Sequence, residues 1–447
     1  MNKPIPVDTE KNDYIAELVI TQHDGETLRH QLPVLIDTHG QPYLQTSGLF
    51  DETGYILYDE GLRSTAIAES KITRINPCVK ESIDKVSHGV LQYRGYSVKQ
   101  LATTCTFLES SYLLIYGDMP NEETFKTFSE DIKINRVLDK TTESLIEHFD
   151  KQSDPMIILS AALASLAARY EREYDMQEPE DRYKIATRLI AKMPTIATQI
   201  FKHNIGQRPI DPDESLGHAA NFLHMLLSTT TKNAEPEPNH IKILDMILTL
   251  HADHQMAVST FVARCVSSAK SPSISSIIAA NLALAGPLHG GANLKVIELL
   301  STLTEEDIPK ILMQAKNPED PFKLPGFGHR VYEGIDPRAE VLRELTHTII
   351  KNHPEEEALY TLALQLEQSA LSDPYFTDRN LFPNVDFYSG LALKAIGIPE
   401  ELFTVIFSIS RVSGWLAHIE EAWENESPLF RPKQYYTGLK ERPLHWP

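Results

Sequence analysis

A chain of 447 residues, 42% apolar and 23% charged, has ordinary globular composition and length for two or three domains, or one large domain with an appendage. Its net charge of −20 argues against nucleic acid or an anionic membrane as the main partner, so any anion site must be a local cationic island. The longest apolar stretch, Pro155 to Ala168, is too short and interrupted to cross a bilayer; the N-terminus lacks the apolar run of a secretory signal; and Cys78, Cys105 and Cys265 show no CxxC spacing, so a reduced, cytoplasmic setting is expected.

Residues 1–75 alternate apolar and polar around turn signals at His23-Asp24-Gly25 and Thr38-His39-Gly40. The runs from Tyr14 to Thr21 and from Gln31 to Asp37 predict short strands, hence a small β-rich N-terminal domain. From about residue 97 the period is helical. Residues 155–170 and 275–285 are apolar on most sides and predict central helices. A helix over 242–256 carries Ile243, Ile247 and Leu250, and extending that stripe by four places His254 on its buried face. A helix from Ala292 to Leu303 follows Gly290-Gly291. Another over 355–371 has Pro354 before it, Glu355, Glu356 and Glu357 in its first turn, and Leu359, Leu362 and Leu366 as its stripe. A further helical stretch runs from Phe387 to Ile396. No internal repeat is visible, and the body is expected to be a large, mainly α assembly.

Two histidines lie in glycine-framed stretches forty residues apart: Gly-Pro-Leu-His289-Gly-Gly-Ala-Asn and Gly-Phe-Gly-His329-Arg-Val-Tyr. Glycine beside a titratable residue lets a ligand approach both the backbone and the imidazole. His289 should sit near a helix N-terminus, where the dipole disfavours imidazolium; a neutral ring can donate a hydrogen bond to a carbonyl. Its plain alternative is a loop histidine that caps a helix. His329 could equally belong to a solvated basic loop. Asp386, in Pro-Asn-Val-Asp386-Phe-Tyr-Ser-Gly, could be an N-cap or a general base. Arg338, Arg411 and Arg431 are each readable as a structural ion pair; together they could clamp a dicarboxylate. His251, Asp253 and His254 resemble a metal pair, but HExxH is absent and no metal is expected. The spaced glycines form neither GxGxxG nor a GxxxxGK[ST] loop.

Taken together, Leu-His-Ala-Asp-His254, Gly-Pro-Leu-His289-Gly-Gly-Ala-Asn, Gly-Phe-Gly-His329-Arg-Val-Tyr, Asp336-Pro-Arg338 and Asn384-Val-Asp386-Phe-Tyr-Ser-Gly resemble the citrate synthase family in order and spacing. The similarity runs from about Ser70 to Arg431 and includes Tyr93-Arg-Gly-Tyr and Lys192-Met-Pro-Thr. The resemblance implies an almost all-α fold: a large domain over 76–289 and 396–447, a small domain over 290–395 that closes on the substrates, and the β-rich domain over 1–75. That N-terminal extension resembles the larger bacterial type (type II), which implies a homohexamer built as a trimer of dimers.

The resemblance also implies the chemistry: acetyl-CoA is condensed with oxaloacetate and citryl-CoA is hydrolysed. Asp386 would take a methyl proton, neutral His289 would stabilise the enolate, and His329 would polarise the oxaloacetate ketone. His254, Arg338 and Arg411 would bind oxaloacetate, with Arg431 lent to the neighbouring subunit. Ser259, which would orient His289, and Asn384 are supporting residues. The backbone of Leu324, Pro325, Gly326 and Phe327 would recognise the adenine of CoA. No cofactor is implied, but Tyr170, Arg188 and Lys192 resemble part of an inhibitory NADH pocket, whose remaining positions Asn135, Arg136 and Thr231 do not match. Ala257 stands where related enzymes usually have asparagine. The competing expectations are a 2-methylcitrate synthase using propionyl-CoA, an inactive ligand-sensing homologue, and a metal hydrolase built on His251, Asp253 and His254.

Overall fold

The structure, a computed structural model, describes residues 14–79, 87–350 and 354–444, with the side chains of 79 and 354–356 excluded. The expected β-rich region at residues 1–13 and the first-turn acids Glu355 and Glu356 lie outside the described residues. Eighteen α-helices and six strands are formed among the described residues. The mainly helical architecture with a small N-terminal β region is the one expected from the sequence. The chain makes two compact units, Met1–Glu69 with Arg431–Pro447, and Ser70–Phe430.

In the first unit, strands Ile15–Thr21, Thr27–Ile36 and Pro42–Leu44 form an antiparallel meander, with Ile15 opposite Pro33 and Thr21 opposite Thr27. The alternation read from the sequence is the pleat: along Ile15–Thr21 every second side chain is exposed. Residues 431–444 form no helix or strand and belong to this unit. There the Lys433 ammonium lies 5.2 Å from the Phe50 ring centre, and the rings of Tyr58 and Tyr435 are 5.8 Å apart.

The second unit begins with strands Thr73–Val79, His88–Tyr93 and Tyr96–Ser97. The Tyr93-Arg-Gly-Tyr motif is a hairpin turn whose two central residues, Arg94 and Gly95, are both left-handed, as a two-residue turn of type I′ requires. The outer side of His88–Tyr93 holds a later loop, through Gly89 N–H to Ile335 O at 2.8 Å and Ile335 N–H to Ser87 O at 2.9 Å.

Helix Phe403–Glu424 forms the centre of this unit, packed by helices Phe107–Tyr116, Pro179–Asn204, Val258–Ser268 and Ser273–Leu284. The segment Glu400–Glu424 is long and apolar enough to cross a membrane by composition, which the sequence reading overlooked, yet 94% of its apolar window is buried inside the protein. Helices Pro155–Tyr170 and Ser273–Leu284 are the two central helices expected. Asp154 caps the first by accepting the Met156 N–H at 2.8 Å, and Pro155 at the first position needs no donor there.

Two boundaries move. The helix expected over 242–256 is Pro238–His251, so His254 is buried but lies beyond the helix rather than on its stripe. The chain leaves the helix because it is held from outside: Ala252 O accepts Gly414 N–H at 3.1 Å, and the Tyr93 hydroxyl donates to Asp253 O at 2.9 Å. The stretch expected from Phe387 is helix Val385–Ala395, which puts Asp386 in its first turn.

Candidate active site

His289 lies two residues before Gly291, the N-cap of helix Ala292–Thr302. Its Nε2 faces Ser259 on helix Val258–Ser268, whose hydroxyl is at 2.8 Å and whose backbone N–H donates from 3.3 Å. That N–H is available because the methyl side chain of Ala257, the N-cap, offers no acceptor to claim it. Burial holds the His289 pKa down at about 4, and the charge of Arg411 adds to it. The ring is neutral as the sequence suggested, but desolvation is the main cause instead of the helix dipole.

His329 lies in the loop before helix Pro337–Ile350. Its Nδ1 accepts the backbone N–H groups of Val331 at 3.0 Å and Tyr332 at 3.1 Å. Nε2 therefore carries the proton of the neutral ring and is the donor. Burial first, and then Arg338, lower its pKa to about 4. The basic loop is thus only partly solvated at this residue. His254 is edge-on to His329, with ring centres 5.2 Å apart, and its Nε2 is 3.1 Å from the Tyr332 hydroxyl. Burial, with Arg338 next, holds it well below the ordinary histidine range.

Asp386 is not an N-cap. Asn384 is: its side chain accepts the Asp386 N–H at 2.9 Å. The same amide donates to Gly328 O at 2.7 Å, and the Asn384 backbone N–H donates to Gly326 O at 2.8 Å. Among the described residues no group hydrogen-bonds the Asp386 carboxylate. Burial raises its pKa to about 6, with the charge of Asp336 raising it further and those of Arg338 and Arg411 opposing.

Arg338 is buried, and both oxygens of Asp336 hold it, with Nε to Oδ1 at 3.0 Å and Nη2 to Oδ2 at 2.8 Å. Asp336 also accepts the N–H of Val385 at 3.2 Å, which joins the arginine to the helix of Asp386. Arg411, on the central helix, donates Nε to His251 O at 2.7 Å, while its buried Nη1 has no partner among the described residues. Such an orphaned guanidinium nitrogen is a demand for an acceptor. Both guanidiniums act electrostatically on His254 and Asp386. Arg338 also acts on His329, and Arg411 on His289. These six residues therefore form one cluster. Arg431 falls in the other compact unit and is exposed.

The loop residues Leu324, Pro325, Gly326 and Phe327 precede His329. Leu324 is buried, and the Phe327 ring meets Phe387 edge-on at 5.0 Å. Gly326 is left-handed, and a Cβ there would lie 2.9 Å from Phe387 Cβ and Val296 Cγ2. At Gly326, then, the glycine is demanded by close packing of the chain and not by the approach of a ligand. Tyr170, Arg188 and Lys192 are near neighbours on two helices. The Arg188 guanidinium lies 5.1 Å from the Tyr170 ring centre and 4.9 Å from that of Tyr174. Buried Lys192 donates to Val137 O, and burial lowers its pKa to about 8.

No three His, Cys, Asp or Glu side chains come together as a metal-binding group among the described residues. Instead, the His251 Nδ1 meets Ile247 O at 2.7 Å, and Asp253 pairs with His418 at 3.3 Å. A cleft of about 890 Å³ opens elsewhere in this unit, lined by Tyr174, Arg182, Lys270 and Trp423, but it holds none of the clustered groups. Chemistry, not volume, selects the site. Tyr332, Asp336 as a partner of Arg338, and Trp415 escaped the sequence reading. Only Asp336 had a local signal, an acid just before proline at a helix start.

A family model described as citrate synthase, C-terminal domain, matches residues 61–433. Among solved structures, citrate synthase from Pyrobaculum aerophilum aligns with a TM-score of 0.77 and 36% identity, over 92% of this chain and 97% of that one. Citrate synthase from the thermophilic archaeon Thermoplasma acidophilum, solved as a ternary complex with carboxymethyl coenzyme A and oxaloacetate, aligns with a TM-score of 0.77 and 28% identity, over 86% of this chain and 97% of that one. The Thermotoga maritima enzyme gives a TM-score of 0.74 and 29% identity, over 87% and 98%.

Proposed function

The chain belongs to the citrate synthase family, and from that premise we propose that it condenses acetyl-CoA with oxaloacetate and hydrolyses citryl-CoA to citrate and CoA. One observation carries the proposal. A carboxylate without a hydrogen-bond partner among the described residues, three neutral imidazoles and two buried guanidiniums form a single cluster.

The chemistry follows from their states. A thioester methyl is a very weak acid and a carboxylate a weak base, so the enolate must be stabilised as it forms. Asp386 takes the methyl proton. His289, through the ring nitrogen turned away from Ser259, donates a hydrogen bond to the thioester oxygen. The enolate carbon attacks the oxaloacetate ketone, whose oxygen takes the Nε2 proton of His329. Arg338, Arg411 and His254 hold the oxaloacetate carboxylates, and the orphaned Nη1 of Arg411 supports that role. Water then cleaves the citryl thioester and CoA leaves. Closure of residues 290–395 over the rest of the helical body excludes bulk water and strengthens these hydrogen bonds.

The finer parts of the reading belong to the same proposal. Leu324, Pro325, Gly326 and Phe327 recognise the adenine of CoA, Arg431 serves a neighbouring subunit, and six copies assemble. The unpaired Cys78, Cys105 and Cys265 suit the cytoplasm. NADH inhibits by meeting Arg188, the cation left for an anion once Lys192 is engaged with Val137. Titration of the protein with NADH at low salt, showing no binding, would remove that element.

The test is product identification. Isotopically labelled acetyl-CoA and oxaloacetate should give labelled citrate. In competition with propionyl-CoA, citrate should exceed 2-methylcitrate; the reverse ratio would make the chain a 2-methylcitrate synthase. No product from folded protein would favour a ligand-sensing homologue.

A further inference from the structure

His289 Nε2 meets two groups of one residue, the Ser259 hydroxyl at 2.8 Å and the Ser259 backbone N–H at 3.3 Å. Among the described residues the same hydroxyl meets one other group, the indole Nε1 of Trp415, at 3.2 Å. Ser259 and Trp415 are both fully buried, so water does not enter the count.

An indole nitrogen only donates, and a hydroxyl has one proton to give. Trp415 therefore fills a lone pair of Ser259 Oγ, and the hydroxyl proton turns to the remaining neighbour, His289 Nε2. The Ser259 backbone N–H points at the same nitrogen. Two donors converge on Nε2, so the ring proton resides on Nδ1. The opposite tautomer would set an Nε2–H against the Ser259 N–H and strand the buried hydroxyl proton.

We propose that Trp415 is a positioning residue that, acting through Ser259, fixes the tautomer of His289 so that Nδ1–H is the donor offered to the reacting thioester. Arg411 and Trp415 are four residues apart on helix Phe403–Glu424 and share a face. One helix thus supplies both a guanidinium for oxaloacetate and the fixed end of the His289 relay. The proposal rests on the reading of His289 as the enolate donor.

The experiment replaces Trp415 with benzothienylalanine, an isostere without the N–H, alongside Trp415→Phe. The isostere separates loss of the hydrogen bond from loss of ring volume. Nitrogen-15 spectra of labelled histidine, with His289 assigned by its absence in His289→Gln, report the tautomer in the resting protein without reference to turnover. In the wild type we expect a protonated Nδ1 and an unprotonated Nε2. In the isostere we expect a mixed population, an unchanged KM for oxaloacetate, and a kcat lower by about fivefold, the equivalent of one neutral hydrogen bond. An Nε2–H tautomer in the wild type, or an isostere with unaltered tautomer and kcat, overturns the proposal. An inactive wild type whose tautomer still responds to the isostere overturns the functional reading and leaves the relay standing.

Discussion

Asn384 accepts the backbone N–H of Asp386 at 2.9 Å, so the helix is capped by the residue two before the carboxylate and the carboxylate itself has no structural duty. Through Gly326 and Gly328, Asn384 also ties this helix to the loop of His329. Asn384→Ala removes a cap and a loop tie, and should cost about 2 kcal/mol of stability by urea unfolding. The kcat should fall more than oxaloacetate affinity, because base and acid lose their mutual register.

Asp386 should govern the acid limb of turnover. Its carboxyl is pushed from 3.8 to about 6 in the free protein, so the base form prevails above that pH and kcat/KM should fall tenfold per pH unit below it. Asp386→Asn should lower kcat by at least about a thousandfold. The stability effect has the opposite sense. With the folded pKa above the unfolded one, the native state favours the protonated carboxyl, and that advantage is lost as pH rises through about 6. Asp386→Asn should thus stabilise the free protein at neutral pH by at most about 3 kcal/mol, and by little below the unfolded value of 3.8. Thermal melts at both pH values check the sign.

The buried histidines predict acid lability. Burial depresses His218 and His251 to about 3, and His289 and His329 to about 4, against 6.5 for the free side chain. The native state therefore binds fewer protons than the unfolded chain, so the stability they contribute is present above 6.5 and lost as pH falls toward 4. Urea midpoints should drop steadily through that window. Relief of the drop in His218→Asn, which leaves the catalytic cluster untouched, would isolate one contributor.

Arg411 should act on oxaloacetate affinity. Arg411→Gln removes the cation with the orphaned Nη1, and KM for oxaloacetate should rise by about 10- to 100-fold. Arg411→Lys should not restore it, since an ammonium cannot keep the Nε bond to His251 O and also present a fork to a carboxylate. In the wild type, oxaloacetate should raise the melting temperature; in either variant that rise should shrink.

The sequence made the helical body legible because its signals are local: apolar period, proline at a helix start, acids in a first turn. His289, His329 and Asp386 stood out through their motifs, but what holds each of them did not. Ser259 is thirty residues from His289, and Trp415 is 156 from Ser259. Such contacts have no period and no spacing. The helix end at His251 was missed for the same reason, since Tyr93 and Gly414, far off in the chain, take the backbone groups of residues 252–253. The Asp386 cap could have been read, because Asn384 precedes it at a capping interval.

The most direct measurement of the central claim is release of free CoA thiol from acetyl-CoA, followed with a thiol-reactive dye, with and without oxaloacetate. Release that depends strictly on oxaloacetate, and that disappears in Asp386→Asn, is the predicted result. Release without oxaloacetate would make the cluster a thioesterase site, and no release from folded wild-type protein would contradict the account outright.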